Sequence, residues 1–165
     1  MIVFAGFDGK DNPARRLVMS VSAQCRKVVL PNGNEKSAAL MRAEIALKPS
    51  AVIMTGQKPA IRSKIAVERF AKTASGERLE TVFDCGAAVR FFRENGYGAY
   101  LSSGAGNSYC NAVYAAVLRM FPRGLFLHIP TLENIDDFDE LVKAFDKFIG
   151  ALAAYRDRVQ NNSAH

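Results

Sequence analysis

Tryptophan is absent from the 165 residues, histidine occurs twice and cysteine three times. Cys25, Cys85 and Cys110 form no CxxC pair, and an odd number of thiols in a chain this long sets up no disulfide framework. His128 and His165 are the only imidazoles, so no Cys/His cluster has the spacing of a zinc site, and neither a metal nor another cofactor is expected. No apolar run reaches the ~18–20 residues of a membrane span. Met1–Phe7 is apolar but has no basic flank and no cleavage site, so it does not read as a signal peptide. The formal charge of +6 is scattered, with no Lys/Arg block, and nothing resembles a nucleic-acid-binding module. These absences point to the cytoplasm, a reducing compartment in which a free thiol persists.

What the chain does have is an alternation of short apolar runs with helical patterns. Ile2–Phe7 reads as a buried strand, and Asn12-Pro13 opens a helix running to about Ala23. Lys27–Leu30 is a strand, and Lys36–Leu47 a helix with Leu40, Ala43 and Leu47 on one face. Ala51–Thr55 is a strand followed by Gly56-Gln57. Ile61–Phe70 reads as a strand, Ala74–Glu80 as a polar loop, and Thr81–Glu94 as a helix closed by Asn95-Gly96. Tyr97–Leu101 is a strand, Tyr109–Phe121 a helix and Leu125–Ile129 a strand. Asp136–Arg158 is a long helix with Phe138, Leu141, Phe145, Phe148 and Leu152 as its apolar stripe. Such alternation predicts an α/β fold with a mainly parallel sheet, in one domain over residues 1–159, with a polar tail at 160–165.

In an open parallel sheet the functional crevice lies beyond the carboxyl ends of the strands. By this reading Phe7, Gly56-Gln57, the turn before Cys110 and His128 converge there. Leu101–Asn111 reads LSSGAGNSYCN: a strand, a turn of small residues, then a helix with Cys110 in its first turn. The N–H groups and positive dipole end of a helix start favour a thiolate, the nucleophilic form. A thiol hydrolase also needs a base near the sulfur and a group that orients the base. His128, in Phe126-Leu127-His128-Ile129-Pro130, is the one internal imidazole and is suited to moving a proton near neutral pH. Glu68 follows an apolar segment, where a carboxylate requires a partner; it is placed either on the second ring nitrogen of His128 or on the surface beside Arg69 or Lys64. The Gly104-Ala105-Gly106 turn carries neither GxGxxG nor GKS/GKT and does not bind phosphate on that evidence.

Taken in order, these stretches resemble the pyroglutamyl peptidase I (pyrrolidone-carboxylate peptidase) family of cysteine peptidases. The family motif SxSAGxYxCN corresponds to Ser102–Asn111, GFxHxP to Leu125–Pro130, and ERxA to Glu68-Arg69-Phe70-Ala71, with Arg78 ten positions after the glutamate. Gly6-Phe7, Asn12-Pro13, Val29-Leu30-Pro31 and Gly56-Gln57 match as well. The resemblance implies a three-layer α/β/α fold with a twisted sheet. It also implies hydrolysis of the amide bond after an amino-terminal pyroglutamyl residue by a Cys110–His128–Glu68 triad. Arg78 would support the oxyanion or its loop, and Phe7 and Gln57 would contact the substrate. The partner would be a peptide or small amide with a blocked amino terminus, and assembly would be homo-oligomeric. The chain departs from the pattern at Ser108 and Thr73, and no second aromatic follows Phe7. Two other readings therefore stand beside the first: the same fold and triad acting on a different amide, or a non-catalytic binding domain that retains the fold.

Overall fold

Every residue of Ile2–Phe7 is buried, and this strand, β1, lies between two others, as an apolar run with no polar face must. Around it the computed structural model, which describes residues 1–106 and 108–162 with side chains as far as 155, shows a six-stranded sheet with helices on both faces. The elements are α1 (Pro13–Ser20), β2 (Arg26–Leu30), α2 (Asn34–Ala46), β3 (Ala51–Gln57), β4 (Lys64–Glu68), β5 (Phe70–Lys72) and β6 (Arg78–Glu80). They continue with α3 (Cys85–Glu94), β7 (Gly98–Ser102), α4 (Tyr109–Met120), β8 (Leu125–Ile129) and α5 (Phe138–Asn162). The strand order is β2-β1-β3-β8-β4-β7, and β5 and β6 form a separate hairpin. Four of the five sheet pairings are parallel; β4 runs antiparallel to β8.

Alternate residues of the same strands build two cores. Ile2, Phe4, Ile53, Val67, Leu125 and Leu127 pack against α1, α3 and α5. Val3, Ala5, Phe7, Met54 and Phe126 face α2, α4 and the hairpin. This is the three-layer α/β/α arrangement with a mainly parallel sheet.

Several local expectations are corrected. Asn12 caps α1 by accepting from the Ala14 N–H at 2.9 Å, but α1 stops at Ser20, where Asp146 of α5 accepts from the Ser22 and Ala23 N–H groups at 2.7 Å. The buried positions of α2 are Ser37, Met41 and Glu44, the last paired with Arg26; Leu40 is half-buried against the core, and Ala43 and Leu47 are exposed. The strand expected over Ile61–Phe70 divides at Arg69. The expected loop at Ala74–Glu80 contains β6, whose partner β5 supplies backbone bonds that a polar sequence does not advertise. Residues 81–84 lie outside the helix expected to begin there. The Thr81 hydroxyl accepts from Phe83 N–H and donates to the Gly124 carbonyl, and Asp84 caps α3 on Ala87 N–H. α5 begins at Phe138, with Asp137 accepting from the N–H groups of Asp139 and Glu140. It continues to Asn162, so the first residues of the expected tail extend the helix, while 163–165 lie outside the described residues.

Candidate active site

Antiparallel β4 brings the acid and the base together. Its register sets Glu68 opposite Phe126 and Ala66 opposite His128, so the two polar side chains are diagonal neighbours on one face. His128 Nδ1 lies 2.8 Å from Glu68 Oε1, with both side chains almost completely buried. The His128 ring also packs on Phe126, centroid to centroid at 4.7 Å. Burial pushes the Glu68 carboxyl up, but the bond and charge of His128, the Ser102 hydroxyl and the Lys58 ammonium outweigh it and hold the group below the usual carboxylate range. Of the two placements open to Glu68, the structure selects the one against His128; Arg69 pairs with Glu80 instead.

Cys110 reaches the same face from above. α4 begins at Tyr109, after a turn in which Gly106 takes φ 78°, a left-handed conformation that glycine adopts without strain. The sulfur lies over Gly56: a Cβ on that glycine would stand 3.0 Å from Cys110 Sγ and 3.1 Å from the Phe126 ring. Gly56 is the register partner of His128, and neighbouring strands are about 4.8 Å apart, so thiol and imidazole occupy adjoining positions. They are not hydrogen-bonded to one another in this arrangement.

Two expectations change here. The turn before Cys110 does not leave the carboxyl edge shared by β1, β3 and β8, because β7 runs parallel to β4 and opposite to β8. The segment between the end of β7 at Ser102 and the start of α4 at Tyr109 carries the thiol onto the face instead. Nor is the thiol biased towards thiolate. Burial pushes Cys110 up and Glu68 adds to this, against the opposing pull of the Ser108 hydroxyl and the N–H at the helix start. Desolvation wins because the sulfur sits against Gly56 and Phe126 rather than in water.

The other expected residues lie around this core at different depths. Phe7 is 1% exposed, its ring under the edge of Tyr109 at 5.1 Å and beside Phe126. Gln57 is exposed at the end of β3. Arg78 stands on the hairpin, its guanidinium 3.6 Å above the Phe70 ring; that ring lies against Gly104 of the turn before Cys110. Arg78 therefore buttresses the turn through Phe70 and also bonds Glu80 at 2.7 Å. Cys25 is half-buried beside α1, and Cys85 is buried in the other core, its thiol pushed up to about 11 mainly by burial.

Three contacts were not read from the sequence. Lys58 Nζ lies 3.3 Å from Glu68 Oε1 and 3.4 Å from the Ser102 hydroxyl. Asn111, next to the thiol, exchanges two hydrogen bonds of 2.8 and 2.7 Å with the Lys72 backbone and fastens α4 to the hairpin. Tyr114 donates to the Glu68 carbonyl at 3.0 Å and fixes the end of β4. The Asn immediately after Cys110 in the motif was the one available signal. Among the described residues no group of three or more His, Cys, Asp or Glu is placed to hold a metal, and no helix is long and apolar enough to cross a membrane.

No family model and no curated protein matches the chain. Solved structures do match. A pyrrolidone carboxyl peptidase from Thermococcus litoralis is 20% identical over 95% of this chain and 94% of its own, with a TM-score of 0.79. A pyrrolidone carboxyl peptidase from Thermus thermophilus is 22% identical over 88% of this chain and 97% of its own, at a TM-score of 0.75. The pyroglutamyl peptidase I from Bacillus amyloliquefaciens is 23% identical over 93% and 94%, at a TM-score of 0.77. The chain shares their fold.

Proposed function

We propose that this chain is a cysteine peptidase that hydrolyses the amide bond after an amino-terminal pyroglutamyl or related small residue. The observation that carries the reading is the buried Glu68–His128 pair at 2.8 Å, on the sheet face where Cys110 Sγ covers Gly56, the neighbour of His128. In this mechanism Nδ1–H donates to Glu68, which fixes the tautomer and leaves Nε2 as the base. His128 takes the thiol proton as Cys110 Sγ attacks the carbonyl carbon, and passes it to the departing amine as the C–N bond breaks. Water, deprotonated by the same imidazole, then cleaves the thioester and restores the thiol. N–H groups of the α4 start receive the oxyanion, and Arg78 supports that turn through Phe70. Gln57 contacts the substrate, and Phe7, covered by Tyr109, does so when that ring moves aside. The catalytic domain spans residues 1–159, and a reducing compartment such as the cytoplasm keeps the thiol competent.

The test is hydrolysis of a pyroglutamyl-coumarin amide with and without reductant. Cleavage that needs reductant and disappears in Cys110→Ser supports the reading; folded protein that neither cleaves the amide nor reacts with iodoacetamide at Cys110 rejects it.

One observation favours a second substrate. Phe7 lies closed beneath Tyr109, and Asp8 and Gly9 follow where a second aromatic wall would stand. A site that discriminates a small lactam does so by shape and paired polar groups, and a different wall admits a different amide. A panel of fluorogenic amides cleaved only where the amino-terminal group is not pyroglutamyl would establish that reading in place of the first.

A further inference from the structure

The groups that would carry the reaction are all covered. Cys110 is 7% exposed, His128 3% and Glu68 not at all, and Phe7 beside them is equally closed. A substrate therefore meets the thiol only after some part of the wall moves. Most of that wall is held. Gly56 and His128 lie within paired strands. The turn before Cys110 rests on Phe70, which lies under Arg78, and the Asn111 side chain fastens α4 to the Lys72 backbone. Tyr109 is held least. Its ring meets Phe7 edge-on at 5.1 Å, yet the residue is 38% exposed, and among the described residues its hydroxyl makes no hydrogen bond. An edge-to-face ring pair is a weak hold.

Two further features let that ring move. Tyr109 is the first residue of α4, after Ser108 in extended backbone, so no preceding helical turn restricts its χ1 and all the staggered positions are open. Its outer side borders a cleft of about 580 Å³, lined also by Lys72, Thr73, Asn111, Ala112 and Arg119, which has room for a phenol ring. The phenol also stands near the thiol: burial pushes its pKa up, and the charge of Cys110 adds to this.

We propose that Tyr109 is a gate and a specificity-determining residue: its ring covers Phe7 and Cys110 at rest, turns out into the cleft beside α4 to admit a substrate, and limits the size of the amino-terminal group that enters. The inference rests on the peptidase reading for its purpose, but its first measurement needs no substrate. The alternative is that the ring only packs on Phe7, and that the thiol is reached by opening of the whole fold.

The experiment is iodoacetamide labelling of the whole chain at one fixed pH, read site by site by mass spectrometry. Cys85, 5% exposed in the other core, is the internal reference for opening of the fold. In Tyr109→Ala the rate at Cys110 should rise about 2–10-fold, the factor that a ring pair of this kind is able to withhold, while the rate at Cys85 stays unchanged. Tyr109→Phe, which keeps the ring, should match the wild-type chain. In the wild-type chain, low urea should speed labelling at Cys85 but not at Cys110, since turning one side chain exposes little surface. That second measurement stands even if Tyr109→Ala does not fold. No rise at Cys110, an equal rise at Cys85, or the same urea dependence at both thiols overturns the proposal. A chain that cleaves no pyroglutamyl amide can still show the pattern, and one that cleaves it can lack the pattern, so the two readings fail separately. Where cleavage occurs, Tyr109→Ala should shift kcat/KM towards amides with larger amino-terminal groups and Tyr109→Phe should not; an unchanged preference overturns the size limit.

Discussion

The two faces of the sheet are made from alternate residues of the same strands, and they have been put to different uses. The face under α1, α3 and α5 is filled with rings: Phe4, Phe92, Phe145 and Phe148 pack at centroid distances of 4.8–5.5 Å. The face under α2 and α4 holds Glu68, His128 and Cys110 within an otherwise apolar setting. Each face also has a buried cysteine, Cys85 on the first and Cys110 on the second. Burial raises both thiols, so burial is not what distinguishes them. What differs is the neighbour: Cys85 Sγ lies 3.9 Å from a backbone carbonyl, whereas Cys110 Sγ overlies the strand position beside an imidazole. On the proposed mechanism a thiol needs a base beside it, and an imidazole stands next to Cys110 but not next to Cys85.

The largest test of the contrast is to exchange the thiols separately. Cys110→Ser should lower pyroglutamyl-amide hydrolysis by at least about 10⁴-fold, since removing a nucleophile abolishes the concerted unit. Cys85→Ala should retain most of the rate and lose about 1 kcal/mol of stability. Steady-state rates with urea unfolding of both proteins make the comparison; equal losses of activity would remove the distinction between the faces.

Truncation in the ring cluster should have the reverse signature. Phe92 is fully buried, and Phe92→Ala should cost about 3–5 kcal/mol, seen as a lower urea midpoint at an unchanged m-value. The rate per folded molecule should change little. A fall in that rate comparable with Cys110→Ser would mean that the first face takes part in the chemistry.

Much of this division is legible in the amino-acid sequence. The burial of whole strands such as Ile2–Phe7 followed from their unbroken apolar runs, and Cys110, His128 and Glu68 stood out as chemistry-bearing groups in apolar or small-residue settings. The direction of β4 did not stand out, because an apolar run looks the same whichever way it is threaded. That direction is what turns Glu68 towards His128. Lys58 was invisible for a related reason: ten positions from Glu68, it meets the carboxylate only because the β3–β4 connection folds back over the strand ends. Asn111 spends its amide on the backbone of a hairpin that polar residues 74–80 did not announce.

Two glycines sharpen the comparison at a smaller scale. At Gly6 an added methyl would stand 2.6 Å from the Ala14 carbonyl of α1, on the ring-filled face. At Gly56 it would meet Cys110 Sγ at 3.0 Å. Each Ala variant should lose about 1–3 kcal/mol through overpacking. Gly56→Ala should in addition lose about 10²-fold in rate, because it displaces the sulfur from the base, and Gly6→Ala should not. Matched unfolding and rate measurements on the pair decide the point; a Gly56→Ala protein with unimpaired turnover would show that the thiol does not work from its place over that glycine.

The smallest effect lies in the pH dependence of stability, where Glu68 and Cys85 respond at opposite ends of the scale. Glu68 is held below the usual carboxylate range, so the stability it contributes is present above the unfolded value, near 4.3, and is lost as pH falls through the lower folded value. The difference in urea midpoint between wild type and Glu68→Gln should therefore shrink between about pH 5 and 3. Cys85 has the other sign. Its folded value of about 11 exceeds that of an unfolded thiol, so the folded state binds the extra proton and stability falls as pH rises from the unfolded value towards 11. Cys85→Ala should flatten part of that alkaline decline, the raised Cys110 thiol carrying the rest, and leave the acid limb unchanged, while Glu68→Gln should flatten the acid limb. Unfolding midpoints for the two variants across both limbs make the test, and a Cys85→Ala protein with an undiminished alkaline decline would show that this thiol does not carry it.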